Sequence, residues 1–256
     1  MSDWNPELYL KFEKERTQPV KDLLARIDKA NPARIIDIGC GPGNSTLEIK
    51  KRFPEAEIEG LDNSPAMIEK ARVLSNEIKW VLGDALGDLS ELGRFDIVFS
   101  NAAIQWMPDH QNLLRNLFGL LDDGGVLAVQ APQFEDMPVS GVIKEVSSLN
   151  KWKEYFSGFH DGMYYFNDHF YYDTLCGLSH EISLWVTEYY HVMQDHASII
   201  DWINSTALRP YIDRLPLDVR GEFTEDILIG LERCYQTQTD GSVLFPFKRL
   251  FFIAGK

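Results

Sequence analysis

The chain has 256 residues, 45% of them apolar, and sets 25 Lys and Arg against 39 Asp and Glu, a net charge of −14. That length supports one large core, and so acidic a surface disfavours nucleic acid and anionic membranes as partners. Cys40, Cys176 and Cys234 show neither metal spacing nor a disulfide framework, no apolar run approaches the ~18 residues of a membrane span, and the start is polar and acidic, so a cytoplasmic protein is expected.

Residues 6–28 read as a helical segment with Leu8, Phe12, Val20, Leu23, Leu24 and Ile27 on apolar faces, which Pro19 is expected to break in two. Strands and helices then alternate: strand 35–38, helix 45–52 ending before Pro54, strand 57–61, helix 64–74 with Pro65 in its first turn, and strand 78–82. Strand 95–100, a helix around 111–121, a turn at Asp122-Asp123-Gly124-Gly125 and strand 126–130 complete the series. Five strands alternating with helices predict a mostly parallel, doubly wound α/β sheet with helices on both faces. Ligands in such sheets sit at the carboxyl ends of the strands, near the switch in strand order.

After Pro132 the alternation stops. Residues 133–180 are aromatic, irregular and partly helical, 182–190 reads as a sixth strand, 195–207 as a helix capped by Asp195, 217–236 as a helix and 247–254 as a closing strand. The simplest organisation is a single domain over 1–256. It has an N-terminal helical segment (1–30), a cofactor-binding core (31–132), a lid or acceptor region inserted between strands five and six (133–180) and C-terminal strands and helices (181–256).

The most specific motif is Asp-Ile-Gly-Cys-Gly-Pro-Gly at 37–43, between a strand and a helix N-terminus. Glycines there allow a sharp turn and a close ligand approach. Their positions, 39, 41 and 43, do not fit the G-x-G-x-x-G fingerprint that faces a pyrophosphate, because position 44 is Asn. The spacing therefore disfavours a nicotinamide-dependent oxidoreductase. Asp62 closes the next strand, 23 residues after Gly39, where a carboxylate can accept from both ribose hydroxyls of an adenosine. Asp84 closes the third strand, placed to accept from an adenine amino group, and Asn101 to Trp106 follow the fourth, where the reactive end of the ligand belongs. Each aspartate alone also fits a turn former or helix cap; their register with one glycine loop favours the ligand.

Together, residues 37–43, Asp62-Asn63-Ser64-Pro65-Ala66-Met67 and Gly83-Asp84-Ala85 resemble the class I S-adenosylmethionine-dependent methyltransferases. The segments 2–10, 100–106, 189–191, 199–202 and 208–210 extend the likeness nearly end to end, and are similar to the family that methylates trans-aconitate. The resemblance implies a Rossmann-like fold with seven strands. It implies S-adenosylmethionine as cofactor and S-adenosylhomocysteine as product, held by Gly39, Cys40, Gly41, Asp62, Asn63, Met67, Asp84, Ala85, Asn101, Ala102 and Gln105. Cys40 is read as a small filler, not a nucleophile.

A carboxylate acceptor is already ionised near pH 7, its ordinary pKa being about 4, so alignment and loss of water suffice and no catalytic base is assigned. From Glu154 to Leu208 there is no Lys or Arg, while eight acidic residues, 13 aromatics and five of the six histidines fall there. A tricarboxylate must use few cations. Arg209 is the first choice, since a guanidinium forks onto a carboxylate, and His191 the second. Tyr9 and Arg16 are placed to close over the site, and Trp106 to wall it. Arg209 also fits an ion pair with Asp213, and His191 a packed histidine. No metal is expected, because no i, i+4 histidine pair with a carboxylate occurs. The partner is then a small tricarboxylate, and the chain a monomer or weak homodimer. Two alternatives stay open: a methyltransferase for a phenol, amine or quinol, and a non-catalytic cofactor-binding protein.

Overall fold

The computed structural model describes residues 13–256. Seven strands form one sheet: β1 (Arg34–Ile38), β2 (Glu57–Asp62), β3 (Lys79–Leu82), β4 (Phe95–Asn101), β5 (Leu121–Pro132), β6 (Glu181–Met193) and β7 (Val243–Gly255), in the order β3-β2-β1-β4-β5-β7-β6. The pairs β1–β2, β2–β3, β1–β4 and β4–β5 are parallel. The order reverses at β1, between β2 and β4, so the switch point lies beside the glycine loop that follows β1. Among the described residues no helix is long and apolar enough to cross a membrane.

Contacts divide the chain into two units, one holding Lys14–Pro132, Tyr164–Val186 and Leu250–Lys256, the other Gln133–Met163 and Thr187–Arg249. The stretch expected as one insertion, 133–180, is therefore shared between the two, with the break after Met163.

In the first unit, β1 is buried almost throughout, as a central parallel strand covered on both faces must be. Ile36, Ile38, Val98, Leu127 and Val129 pack with Leu113, Leu114 and Leu117 of helix α4 (His110–Gly119). At the amino ends of the strands, Glu59 of β2 accepts from Arg34 of β1 (2.7 Å) and from Lys79 of β3 (2.8 Å). Arg34 also donates to the carbonyl of Arg94 and lies over the Phe95 ring of β4. Two further helices flank this sheet, α2 (Asn44–Arg52) and α3 (Pro65–Leu74).

Pro19 does not break the N-terminal helix: α1 runs Glu13–Ala25 straight through it. An interior proline costs about 3 kcal/mol. Val20, Leu23, Leu24 and the following Ile27 are all buried, and burying each such side chain contributes about 1.5–3 kcal/mol, together outweighing the proline. The turn expected at 122–125 is also absorbed, into β5. Phe95 pairs with Leu121 and Ile97 with Val126, so β5 takes five steps where β4 takes two. The bulge is held by Gly124, whose N–H donates to the Lys256 carbonyl and whose own carbonyl accepts from Lys29.

In the second unit, α5 (Pro138–Ser147) lies against α9 (Arg220–Cys234) at Gly230, where a Cβ would come within 2.4 Å of Val142. Helix α6 (Asp168–Cys176) belongs to the first unit; α7 (His196–Asn204) and α8 (Arg209–Arg214) belong to the second. Asp195 caps α7 by accepting from the Ser198 N–H at 2.7 Å. The single-turn scale of α8 left no periodic signal in the sequence.

Candidate active site

The glycine loop is built from main-chain hydrogen bonds. The N–H groups of Gly39 and Cys40 both donate to the Leu61 carbonyl, at 2.8 and 3.0 Å. Gly39, Gly41 and Gly43 all take positive φ (70°, 56° and 100°), a region costly for any residue with a Cβ. At Gly39 a Cβ would sit 2.3 Å from that of Ala103, so the loop rests directly on the chain leaving β4. At Gly41 a Cβ would meet nothing within 4 Å, which leaves room for a ligand against the backbone. Gly43 precedes α2 and offers no capping side chain, so the helix's first N–H groups have no side-chain acceptor from it.

Asp37, fully buried beneath the loop, accepts from the Ser45 and Thr46 hydroxyls at 2.6 and 2.7 Å through one carboxyl oxygen; the other has no hydrogen-bond partner among the described residues. Burial raises its pKa to about 7 against the pull of the two hydroxyls. Asp62 accepts from the Gly41 N–H and the Ser64 N–H, both at 2.9 Å. Burial raises its pKa too, more than those N–H groups lower it. A carboxylate has about four lone-pair sites, so an Asp62 locked by two donors keeps acceptor capacity that a ribose could use. Asn63 is exposed, and Met67 is buried in α3.

Asp84 is exposed and accepts from the Leu86 N–H at 3.0 Å, an Asx turn that presents Ala85 inward. The turn-forming role is the one observed, and it uses only one of the two oxygens. Burial pushes the Cys40 thiol well above its ordinary range, consistent with a filler rather than a nucleophile.

The chain leaving β4 forms the other rim. Ala102 sits at φ 51°, an uncommon conformation for alanine, with its N–H on the Gln130 carbonyl at 2.9 Å. Ile104–Trp106 make a 3-10 turn, and Gln105 donates to the Ala102 carbonyl at 2.7 Å. The side-chain oxygens of Asn101 and Gln105 are buried without a hydrogen-bond partner among the described residues. Buried acceptors are rarely left so, and two together at a strand end suit a ligand that brings N–H or O–H donors. A bound S-adenosylmethionine would present its ammonium and ribose hydroxyls, so the residues present fit that cofactor.

Sequence reasoning missed what fastens this rim. His110, fully buried at the start of α4, lies 2.8 Å from the Ile104 carbonyl and 2.7 Å from the Tyr171 hydroxyl of α6. The Tyr164 N–H donates to the Gln105 carbonyl at 2.7 Å. The one available signal was His110 itself, the only histidine outside 154–208.

Of the expected acceptor residues, Trp106 and Arg16 lie in the unit that carries the glycine loop, and both are half-buried. Arg209 and His191 lie in the other. Arg209 Nε is 3.5 Å from Asp213, the ion pair anticipated as its plainer role. His191 is buried, its ring 4.6 Å from Trp202 and 5.8 Å from Phe247. Tyr9 lies outside the described residues.

Residues 29–196 match the family model described as a methyltransferase domain. The chain is 41% identical to the trans-aconitate 2-methyltransferase of Methylobacterium radiotolerans, over 100% of this chain and 99% of that one. It is 41% identical to the enzyme of that name from Enterobacter sp. (strain 638), over 99% and 98%. Among solved structures, the YcgJ protein from Bacillus subtilis aligns with a TM-score of 0.62 at 13% identity, over 93% of this chain and 97% of that one. The plantazolicin methyltransferase BpumL, solved with SAH, aligns at 0.53 and 14%, over 98% and 90%. These two show the fold alone. The switch-point loop, the fold and the matched domain define a class I methyltransferase. Within that class, the chain belongs to the trans-aconitate 2-methyltransferase family.

Proposed function

We propose that this chain transfers the methyl group of S-adenosylmethionine to a carboxylate of trans-aconitate, giving a monomethyl ester and S-adenosylhomocysteine. The observation that carries the reading is end-to-end identity near 40% to relatives named for that reaction. The site adds physical support. The glycine loop and Asp62 suit an adenosine, and the buried oxygens of Asn101 and Gln105 suit the amino-acid end of the cofactor.

The bound cofactor supplies an electrophilic sulfonium methyl. The chain's residues then have to hold, dry and align, because an ionised carboxylate is already a nucleophile. Gly39, Cys40, Gly41, Asp62, Asn63, Met67, Asp84 and Ala85 are assigned to the adenosine, and Asn101, Ala102 and Gln105 to the methyl-donor end. Arg209 and His191 are proposed for the acid's carboxylates, and Tyr9, Arg16 and Trp106 as further acceptor residues. The cysteine pattern supports a cytoplasmic setting, and a monomer or weak homodimer is proposed alongside it.

The test is incubation with methyl-labelled cofactor and a panel of small di- and tricarboxylates. Base-labile label on trans-aconitate is expected. Base-stable label, or label on none of the acids, would overturn the assignment in favour of a nitrogen or ether-oxygen acceptor.

A further inference from the structure

We propose that His110 and Tyr171 are positioning residues for methyl transfer. Their hydrogen bond sets the rim at 101–107 and ties to it the aromatic stretch that opens at Tyr164. The proposal rests on the reading above, in which that rim holds the reactive end of the methyl donor.

The geometry fixes the chemistry of the pair. A backbone carbonyl only accepts, so the His110 Nε2 facing Ile104 carries the proton. In a neutral ring Nδ1 then accepts, and the Tyr171 O–H donates to it. Burial lowers the imidazole pKa, which keeps the ring neutral. His110 thus reaches one carbonyl of the 3-10 turn, and the Tyr164 N–H reaches the next, that of Gln105. Both anchors come from outside the turn and meet within one unit.

The rim needs such anchors. Ala102 at φ 51° persists only if its surroundings over-determine it. Gln105 gives one amide N–H to the Ala102 carbonyl, which aims its buried oxygen at one place. Packing alone does not supply direction. The Tyr171 ring is already wedged against Phe170 and Phe252, at 5.5 and 5.3 Å, and a phenylalanine there would keep those contacts. What it would lose is the O–H that orients His110. Displacing a reacting group by about 1 Å costs on the order of 100-fold in rate, so a loosened rim should show in kcat before it shows in cofactor affinity.

The experiment compares Tyr171→Phe, His110→Gln and His110→Ala with the unaltered protein. Tyr171→Phe should lower kcat on the acid by about tenfold or more, with the cofactor Kd from calorimetry moving less than about threefold. In cofactor-free protein, hydrogen exchange at Ala102, Trp106 and Met107 should accelerate. His110→Gln, which keeps a donor and an acceptor, should retain more of kcat than His110→Ala. Unchanged exchange together with unchanged kcat in Tyr171→Phe would overturn the proposal. So would equal losses of kcat and cofactor affinity that track a fall in Tm, the mark of a purely structural pair. If the unaltered protein methylates no acid at all, the functional reading fails, while exchange in the cofactor-free protein still decides the pairing.

Discussion

The region proposed for the cofactor and the residues proposed for the acceptor are made of different material. Around the glycine loop the decisive donors are backbone N–H groups: Gly39 and Cys40 to the Leu61 carbonyl, Gly41 to the Asp62 carboxylate, Ala102 to the Gln130 carbonyl. Arg209 and His191 are instead long or ring-bearing side chains set among Asp213, Trp202 and Phe247. A backbone-built site is specified by where glycine and aspartate fall. A side-chain-built one depends on packing, which a single sequence does not display.

That contrast should break first at Gly39. Gly39→Val places a Cβ 2.3 Å from Ala103 at a positive φ, so cofactor affinity should fall at least about 100-fold and the melting temperature should drop. Calorimetry returning an unaltered Kd would remove the loop from the cofactor site. Asp62→Ala should come next, weakening the cofactor by about 1–3 kcal/mol, because Gly41 and Ser64 lose their acceptor as well as the ribose. Its KM for the acid should stay near normal; a matching rise would blur the two regions into one.

Arg209→Ala tests the other side. It should raise the KM for trans-aconitate about tenfold and leave that for the cofactor within about twofold, from the loss of a forked contact. Equal effects on both, or none, would reduce Arg209 to its ion pair with Asp213.

The last effect is on stability and not on binding, and concerns Asp37. Its folded pKa of about 7 lies above the ordinary 3.8, so its contribution to stability is complete below about pH 4 and is lost as pH rises through about 7. Asparagine does not titrate. The melting temperature of Asp37→Asn relative to the unaltered protein should therefore climb between about pH 4 and 7 and then level off. A constant difference across that window would mean that Asp37 is already ionised at its lower end.

Much of the first unit was legible because its signals are local. The β-α alternation, Pro65 in the first turn of α3 and the glycine spacing each act over a few residues. The failures have one physical origin, tertiary contacts overriding local preference. Pro19 stays helical because four buried side chains outweigh it, and the Asp-Asp-Gly-Gly turn lies within β5 because Lys29 and Lys256 grip Gly124. The bond between His110 and Tyr171 spans 61 residues, and no short motif announces it.

One consequence follows from the ion cluster around Glu59. Arg34, Glu59 and Lys79 join three neighbouring strands at their amino ends, and Arg34 reaches a fourth through Phe95, whereas the ligand loops leave from the carboxyl ends. The parallel sheet thus has an anchored edge and a variable edge. Random substitutions retained in a selection for new acceptors should collect beyond the carboxyl ends, and those near Glu59 should be culled through folding yield, whatever acid is offered.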